Sequence, residues 1–177
     1  MEKIITTSSK SEEKILRQKT KEFTFEKKSI SVAGKEFSKK EVDELIRKMR
    51  KIMRQANGVG LSANQIGLNY RLFVAEVPAR DGSNKFYAIF NPQIEKLFKE
   101  TISPLDEGCL SVPNVFGKVD RATQVKITGL DKSGRPLKIK AWGLLAQIFQ
   151  HEIDHLDGKL FIDKAKELRQ IERNAEL

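Results

Sequence analysis

Residues 143–158 read GLLAQIFQHEIDHLDG, and this stretch carries the strongest structural signal in the chain. Its apolar residues recur at three- and four-residue steps, which predicts a helix from about Gly143 to Leu156 that ends near Gly158. The chain has two histidines, and both belong to this helix: His151 and His155. A four-residue step places both imidazoles on one helix face, where they can take two corners of a tetrahedral metal site.

Glu152 completes the pattern His-Glu-x-x-His. It follows His151 by about 100° of helix rotation, so its carboxylate can reach a metal-bound water without being a ligand. The alternative is a hydrogen-bonded histidine pair beside an unrelated glutamate. We disfavour it, because the chain's two histidines would then have this spacing beside a glutamate by chance. The pattern therefore indicates a metal-dependent hydrolase in which Glu152 is the general acid and base.

A hydrolytic metal site of this kind needs a third protein ligand and one open position for water. The single cysteine of the chain, Cys109, lies in the stretch 107–111, EGCLS. A lone cysteine is usually a small buried apolar residue, but the unfinished histidine pair favours Cys109 as the missing ligand. A carboxylate ligand, as in zinc endopeptidases, stays open, and Asp157 and Asp163 are the near candidates downstream.

A glycine-containing segment, residues 58–65, reads GVGLSANQ. Glycines spaced by one residue permit close approach of the backbone to another chain segment or to a ligand. The pattern matches neither a phosphate-binding loop nor a dinucleotide fingerprint. The amide of Gln65 can donate to an oxyanion. A turn that needs glycine only for steric reasons explains the segment equally well from these residues alone.

The rest of the chain indicates an α+β fold, because runs of strands are separated from the helices. A helix is predicted over Lys39–Gln55, where Ser38 and Glu41 have the form of a capping box. Two shorter elements are a helix around Ser11–Lys21 and a charged helix at the end of the chain. Strands are predicted over Tyr70–Val77, Lys85–Phe90 (ended by Pro92), Gln93–Lys99, the hairpin Thr123–Leu130 with Pro136–Trp142, and Leu160–Ile162.

Length and composition indicate one catalytic domain over residues 1–177, with residues 1–30 as a polar, loosely attached N-terminal arm. The sequence contains no apolar run of membrane-spanning length and no secretory signal, and one cysteine excludes an intrachain disulfide. We therefore expect a cytoplasmic protein without a membrane partner. The net charge of +9 is spread along the chain, which indicates a solvated lysine-rich surface and is compatible with weak attraction to the ribosome.

Together, three segments resemble peptide deformylase, the family that removes the N-terminal formyl group from newly made chains. They are Gly58–Gln65, Glu107–Ser111 and Gln150–His155, and Leu156–Gly158 continues the third. The resemblance covers about Gly58 to Asp163, and extends more weakly to residues 15–17. Two features depart from the pattern: Ser62 stands where alanine is more usual, and the cleft-side residues Gln147 and 114–116 are places where the family varies.

The resemblance implies antiparallel sheets packed around a central helix that carries the His-Glu-x-x-His motif. It implies one divalent ion, Fe²⁺ in the cell with Zn²⁺ or Ni²⁺ as substitutes, and N-formylmethionyl peptides emerging from the ribosome as substrates, with formate released. In this chain the implied metal ligands are Cys109, His151 and His155. Glu152 is the implied proton shuttle, and Gln65 and the Leu110 N–H are the implied oxyanion donors. The implied cleft lining is Val59, Gly60, Glu107, Gly108 and Leu144.

Two other functions remain to be separated from this one. A zinc endopeptidase would take its third ligand downstream of His155 rather than from Cys109. A non-enzymatic basic protein that binds ribosomal RNA would be indifferent to chelators and to metal loading.

Overall fold

Helix α3 (Gly143–Leu156) packs on a five-stranded antiparallel sheet in the computed structural model, which describes residues 3–27, 29–79, 81–98, 101–102 (backbone alone) and 106–171. The sheet has the order β12-β11-β6-β5-β4. Its strands are β4 (Gly60–Ser62), β5 (Leu72–Pro78), β6 (Asn84–Leu97), β11 (Gln124–Leu130) and β12 (Pro136–Trp142).

Three smaller antiparallel sheets surround this unit. The first has the order β1-β2-β3, the second β10-β7 and the third β13-β9-β8. Their strands are β1 (Thr24–Phe25), β2 (Ile30–Val32), β3 (Lys35–Phe37), β7 (Thr101–Ile102), β8 (Glu107–Cys109), β9 (Val112–Lys118), β10 (Arg121–Ala122) and β13 (Lys166–Gln170). The other elements are helices α1 (Lys10–Leu16) and α2 (Lys39–Gln55) and 3₁₀ helices η1 (Ala63–Ile66) and η2 (Phe161–Asp163). The predicted α+β class, with antiparallel sheets around the motif helix, is confirmed.

The apolar side of α3 is buried against one face of the large sheet. Phe149, Ile153 and Leu156 of the helix meet the strand residues Phe73, Ile89, Val125, Ile127 and Ala141. Truncating a buried phenylalanine such as Phe149 to alanine costs about 3–5 kcal/mol. This packing fixes the rotation of α3, so that its other side, with His151, faces the cleft described below.

Helix α2 covers part of the opposite sheet face, over β4 and β5. It begins as predicted: the Ser38 hydroxyl accepts from the Glu41 N–H at 3.2 Å, and the Glu41 carboxylate accepts from the Ser38 N–H at 2.8 Å. Its predicted apolar stripe is buried, except that Leu45 is only partly covered. The predicted bounds of α2 and α3 and the hairpin β11–β12 are confirmed within one residue.

The prediction that Pro92 ends a strand is wrong, because β6 continues through it to Leu97. Proline lacks the N–H of a regular ladder and is tolerated at bulges. The pairing of β6 with β11 shifts register at this point, between Thr128 and Leu130, and Asn91 has a positive φ of 48°. A bulge therefore takes up the proline, and the predicted second and third strands are one. Lys99, in the predicted third strand, lies outside the described residues.

Three other predictions are corrected. Residues 160–162 are not a strand: η2 forms there, and the Leu160 N–H donates to the Asp163 carboxylate at 2.8 Å. The described part of the closing segment is strand β13, not a helix, because it pairs with the edge of β9. The glycine-containing loop holds β4 and η1. Residues 172–177, and Arg80 between the predicted strands Tyr70–Val77 and Lys85–Phe90, lie outside the described residues.

The N-terminal segment is joined to the elements that carry the site, whereas the sequence predicts loose attachment of residues 1–30. The Ile5 N–H donates to the Gln65 carbonyl and the Thr7 N–H to the Ser111 carbonyl, both at 2.9 Å. Helix α1 ends at Leu16 rather than near residue 21, because the chain then turns to bond the end of α3 through the Thr20 N–H and hydroxyl. Residues 1, 2 and 28 lie outside the described part.

Within the described ranges, none of the helices combines the length and apolar character that crossing a bilayer requires.

Candidate active site

Strand β8 and helix α3 bring a thiol and two imidazoles together. Cys109 Sγ lies 3.1 Å from His155 Nε2, which lies 3.2 Å from His151 Nε2. All three potential ligand atoms lie within 4.8 Å of one another. Burial alone would raise the pKa of the Cys109 thiol, but His155 and His151 lower it well below its usual value. The cluster thus favours the thiolate, the form of cysteine that binds metals.

The geometry of these three residues fits a tetrahedral metal ion. Metal bonds of about 2.0–2.3 Å place neighbouring ligand atoms about 3.3–3.6 Å apart, close to the two separations made by His155 Nε2. His151 Nδ1 donates to a carboxylate oxygen of Glu107 at 3.1 Å, which leaves Nε2 as the ring nitrogen that faces His155.

Glu107 is held in place by Arg121. The guanidinium donates to both oxygens of Glu107, at 2.8 and 2.9 Å, and both side chains are buried. Burial would raise the pKa of Glu107, but Arg121 and His151 lower it to about 2. A permanently charged carboxylate therefore orients His151, which is the usual arrangement behind a metal-ligating histidine.

A second carboxylate balances the charge of Arg121. Asp154 accepts from Arg121 Nη1, the guanidinium nitrogen that does not bond Glu107, at 2.5 Å and from Lys164 Nζ at 2.6 Å. Asp154 is buried, whereas the Lys164 side chain is 40% exposed. The alternating charges connect the candidate ligand His151 to the surface, and the buried Arg121 is paired with a carboxylate on each side.

Glu152 lies beside the three candidate ligands, buried between α3 and β4. The Ser62 hydroxyl donates to one of its carboxylate oxygens at 2.6 Å. Burial raises the pKa of Glu152, against the opposing effects of the two histidines and of Ser62. Gly60 gives the carboxylate its space, because a Cβ on Gly60 would lie 2.3 Å from Glu152 Oε1. A glycine of the 58–65 segment is therefore required by the position of the carboxylate.

Gln65 presents its amide NH₂ to the same site. Its oxygen accepts from the Ser62 N–H at 2.8 Å, which turns Nε2 toward Cys109 Sγ at 3.5 Å and Ser111 Oγ at 3.2 Å. Leu110 directly follows Cys109, and its side chain lies against Gly58, where an added Cβ would be 2.8 Å from Leu110 Cδ1.

A cleft of about 790 Å³ opens onto these groups, within the usual size range of small-ligand sites. It is lined by all five residues for which the resemblance predicts this role: Val59, Gly60, Glu107, Gly108 and Leu144. Gln65, Cys109, Leu110, His151 and Glu152 also line it, whereas His155 lies behind them, buried.

The carboxylates that stayed open as third ligands lie elsewhere. Asp157 pairs with Arg71 at 2.7 Å, and Asp163 pairs with Arg17. Cys109 is the residue that joins the two histidines.

Sequence reasoning missed several residues of this site. Ser62 as the partner of Glu152 and Ile171 in the cleft wall give no local signal, and Arg121, which holds Glu107, is missed as well. Ile171 reaches the wall because its N–H donates to the Asn114 carbonyl at 2.8 Å, beyond the end of β13. A signal for Arg121 existed, since an isolated arginine between strand segments has to find a carboxylate if the strands bury it.

Comparison with known proteins agrees with this geometry. The family model described as polypeptide deformylase matches residues 4–171. A peptide deformylase of Picosynechococcus is 37% identical over 154 residues, 87% of this chain and 75% of that protein. One of Pelotomaculum thermopropionicum is 45% identical over 129 residues, 72% of this chain and 78% of that protein.

Solved structures share the fold as well as the sequence. The crystal structure of a probable peptide deformylase from Synechococcus phage S-SSM7 matches with a TM-score of 0.77 and 37% identity, over 93% of this chain and 99% of that one. A peptide deformylase from Synechococcus elongatus in complex with actinonin matches with a TM-score of 0.76 and 31% identity, over 93% of this chain and 80% of that one. The chain belongs to the polypeptide deformylase family, the hydrolases that remove the N-terminal formyl group from nascent peptides.

Proposed function

We propose that this chain hydrolyses the formyl group at the site formed by Cys109, His151, His155 and Glu152. The observation that carries the proposal is that three potential ligand atoms within 4.8 Å lie beside a buried carboxylate on one wall of an open cleft. Members of the family use a catalytic divalent metal. We propose that the cleft receives N-formylmethionyl peptides as they emerge from the ribosome.

Cys109, His151 and His155 would hold one divalent ion, with a fourth position left for water. When bound, such an ion lowers the pKa of its water and polarises the formyl carbonyl. We propose Fe²⁺ in the cell, with Zn²⁺ or Ni²⁺ as substitutes. One thiolate with two imidazoles suits all three ions, so the choice among them depends on metal supply as well as on the ligands.

Glu152 moves the proton in the proposed reaction. Its carboxylate accepts a proton from water as the water oxygen attacks the formyl carbon. It then delivers that proton to the departing amine nitrogen, so that the C–N bond breaks and formate and a free N-terminus are released. The buried, Ser62-bonded carboxylate supports this role, because burial raises its pKa toward the range in which it can both accept and return a proton.

Gln65 and Leu110 are the proposed donors to the oxyanion. The Gln65 oxygen is already occupied by a backbone N–H, so its NH₂ group is directed toward the site before substrate binds. The Leu110 N–H follows the ligand Cys109 directly in the chain. Donors set in place before reaction stabilise a developing negative charge without the cost of reorganisation.

The cleft lining supports selection of a formylated methionine. Val59 and Leu144 are 46% and 50% exposed, and these apolar side chains can receive an apolar substrate residue. A side chain on Gly60 or Gly108 would collide with Glu152 or Phe116, respectively, so backbone forms this part of the cleft wall. We propose that this part of the cleft accepts the hydrogen of a formyl group and rejects larger acyl groups.

We also propose that residues 1–177 act as one catalytic domain in the cytoplasm, since a single cysteine with no intrachain disulfide fits a reducing compartment. The charge of +9 supports weak attraction of the basic surface to the ribosome.

The test is formate release from formyl-Met-Ala-Ser by protein loaded with a defined metal. Glu152→Gln should keep the metal and lower kcat by about 10²–10⁴-fold, because an amide cannot accept the proton. Cys109→Ala should lose metal and activity together. Actinonin, the ligand in the complex of the Synechococcus elongatus relative, should block the reaction. Full activity in metal-loaded Glu152→Gln, or full metal content and activity in Cys109→Ala, would overturn the proposal.

A further inference from the structure

Helix α2 leaves one face of the large sheet uncovered at strands β11 and β12. On β11 and β12, one set of alternating residues packs on α3, and the opposite set is half-buried or exposed. Helix α2 packs on β4 and β5 instead. The uncovered set contains Lys126 on β11 and Lys138, Lys140 and Trp142 on β12.

Three lysines on this face stand in one row across three strands. Lys126 is directly opposite Lys140 on one side and directly opposite Lys96 of β6 on the other. Neighbouring strands are about 4.8 Å apart, so the row concentrates three positive charges within about 10 Å. Like charges directly opposite one another destabilise a sheet. Glu95 offsets part of this, at 3.0 Å from Lys126 and 4.0 Å from Lys138.

Two aromatic rings lie beside the lysines at the two ends of this row, Lys96 and Lys140. Lys140 Nζ lies 5.1 Å from the ring centroid of Phe98 and 5.4 Å from that of Trp142, and Lys96 Nζ lies 4.9 Å from Phe98. With its amide oxygen turned toward them, Gln124 accepts from Lys140 Nζ at 2.7 Å and from Trp142 Nε1 at 2.9 Å. Trp142 is nevertheless 59% exposed. Phe98 is half-buried, so Trp142 is the ring that is held beside the lysines with most of its surface left to contact a partner.

We propose that this surface, formed by Lys96, Phe98, Lys126, Lys138, Lys140 and Trp142, binds single-stranded RNA. Lysines contact phosphates, and exposed aromatic rings on a sheet stack with unpaired bases. The bases of a duplex are stacked on one another inside it, so a duplex can contact the lysines through its phosphates but cannot stack on the aromatic rings. Trp142 is also the N-cap residue of α3, two residues before the cleft residue Leu144, so bound RNA would lie near the start of the catalytic helix.

The chain contains one tryptophan, so its fluorescence reports on this surface alone. The experiment titrates the full-length, nickel-loaded protein with a 12-nucleotide uridine RNA at low salt. Tryptophan emission and the anisotropy of a labelled RNA are both followed. We expect quenching of Trp142 with the same midpoint as the anisotropy change, and weaker, non-quenching binding of a duplex of equal length.

Two triple variants distinguish RNA binding by this surface from a general effect of net charge on RNA affinity. The first is Lys96→Gln, Lys126→Gln and Lys140→Gln; the second, as control, is Lys39→Gln, Lys40→Gln and Lys51→Gln, all exposed on α2. Each lowers the net charge by three. We expect the first to weaken RNA binding at least about tenfold at 0.1 M salt, with a salt dependence shallower by about 2, and the control to change affinity less than about twofold.

Trp142→Ala should weaken binding about fivefold or more, and Trp142→Phe should restore most of it. Equal losses in the two triple variants, RNA binding without Trp142 quenching, or no binding at low salt would each overturn the inference. Quenching of Trp142 by vesicles of anionic phospholipid, but not by RNA, would also overturn the inference. Formate release is measured in parallel on every variant and is expected to be unchanged. RNA binding is read without substrate, so failure of either proposal leaves the other standing.

Discussion

The hydroxyl of Ser62 donates a 2.6 Å hydrogen bond to the carboxylate of Glu152, and both residues are buried. The two are 90 residues apart in the chain and meet because β4 lies alongside α3. The resemblance implies alanine as the more usual residue at the position of Ser62, so we expect this bond to add to the machinery rather than to be required by it. It stabilises the charged carboxylate and fixes one of its two oxygens.

Ser62→Ala should leave an active enzyme, with kcat lowered less than about tenfold, the range of one hydrogen bond to a charged group. The bond lowers the pKa of Glu152, so its loss should raise that pKa further. The base must be deprotonated to act, and the acid limb of kcat/KM against pH should therefore move to higher pH. The measurement is a pH–rate profile of the metal-loaded variant and parent. Identical acid limbs would contradict the role assigned to Ser62.

Gly60→Ala should lower kcat by about 10²-fold, because misplacing a reacting group by about 1 Å has this effect. The new Cβ would lie 2.3 Å from Glu152 Oε1, so the carboxylate has to move. Metal content should be retained, since the clash involves none of the three ligands. Gly58→Ala is the matched comparison: its Cβ meets the flexible end of Leu110 at 2.8 Å, and a smaller loss is expected. Equal effects of the two substitutions would refute this explanation.

Glu76 should make the free energy of unfolding depend on pH. The hydrogen bonds from Arg54 and Arg50 lower the pKa of Glu76 from its ordinary value of 4.5 to about 2. A carboxylate with a lowered pKa in the folded state stabilises the protein above pH 4.5, and that stability is lost as the pH falls toward 2. Glu76→Gln should therefore cost about 1–3 kcal/mol at pH 7 and progressively less below pH 4.5.

Urea titrations of Glu76→Gln and its parent, run across this pH range, give the difference directly. The surface pair of Lys118 with Glu167 supplies the control, because Glu167→Gln should cost less than about 1 kcal/mol at pH 7. A pH-independent difference between parent and Glu76→Gln would show that packing rather than charge is lost.

The proposed cysteine ligand predicts sensitivity to oxygen. Ferrous iron can be oxidised and lost, and an accessible thiolate can be oxidised to sulfenic or sulfinic acid. Cys109 is partly exposed and lines the cleft, so iron-loaded protein should lose activity in air while nickel-loaded protein keeps it. Activity is followed over time in air and under argon, with mass spectrometry to locate added oxygen, expected on Cys109. Equal lifetimes of the two forms in air would argue against iron bound by cysteine.

Local signals explain which parts of the structure could be predicted from sequence. Helix α2 is marked by its capping box and apolar stripe, and the hairpin β11–β12 by alternation around Asp131–Gly134. The effect of Pro92 cannot be predicted locally, because it depends on a bulge formed with β11, which is distant in sequence. The same holds for strand β13, whose charged residues form a strand only because they pair with the edge of β9.

The chemical groups on α3 can be predicted from sequence, because the spacing of His151, Glu152 and His155 on one helix is a local property that any amphipathic helix preserves. Which distant groups act on them depends on the packing of the whole chain. Arg121 orients the site through Glu107, and Ser62 holds Glu152, across separations that no local pattern encodes. Such contacts follow from sheet register and from the rotation of α3 on its apolar side, which are set when the whole core packs.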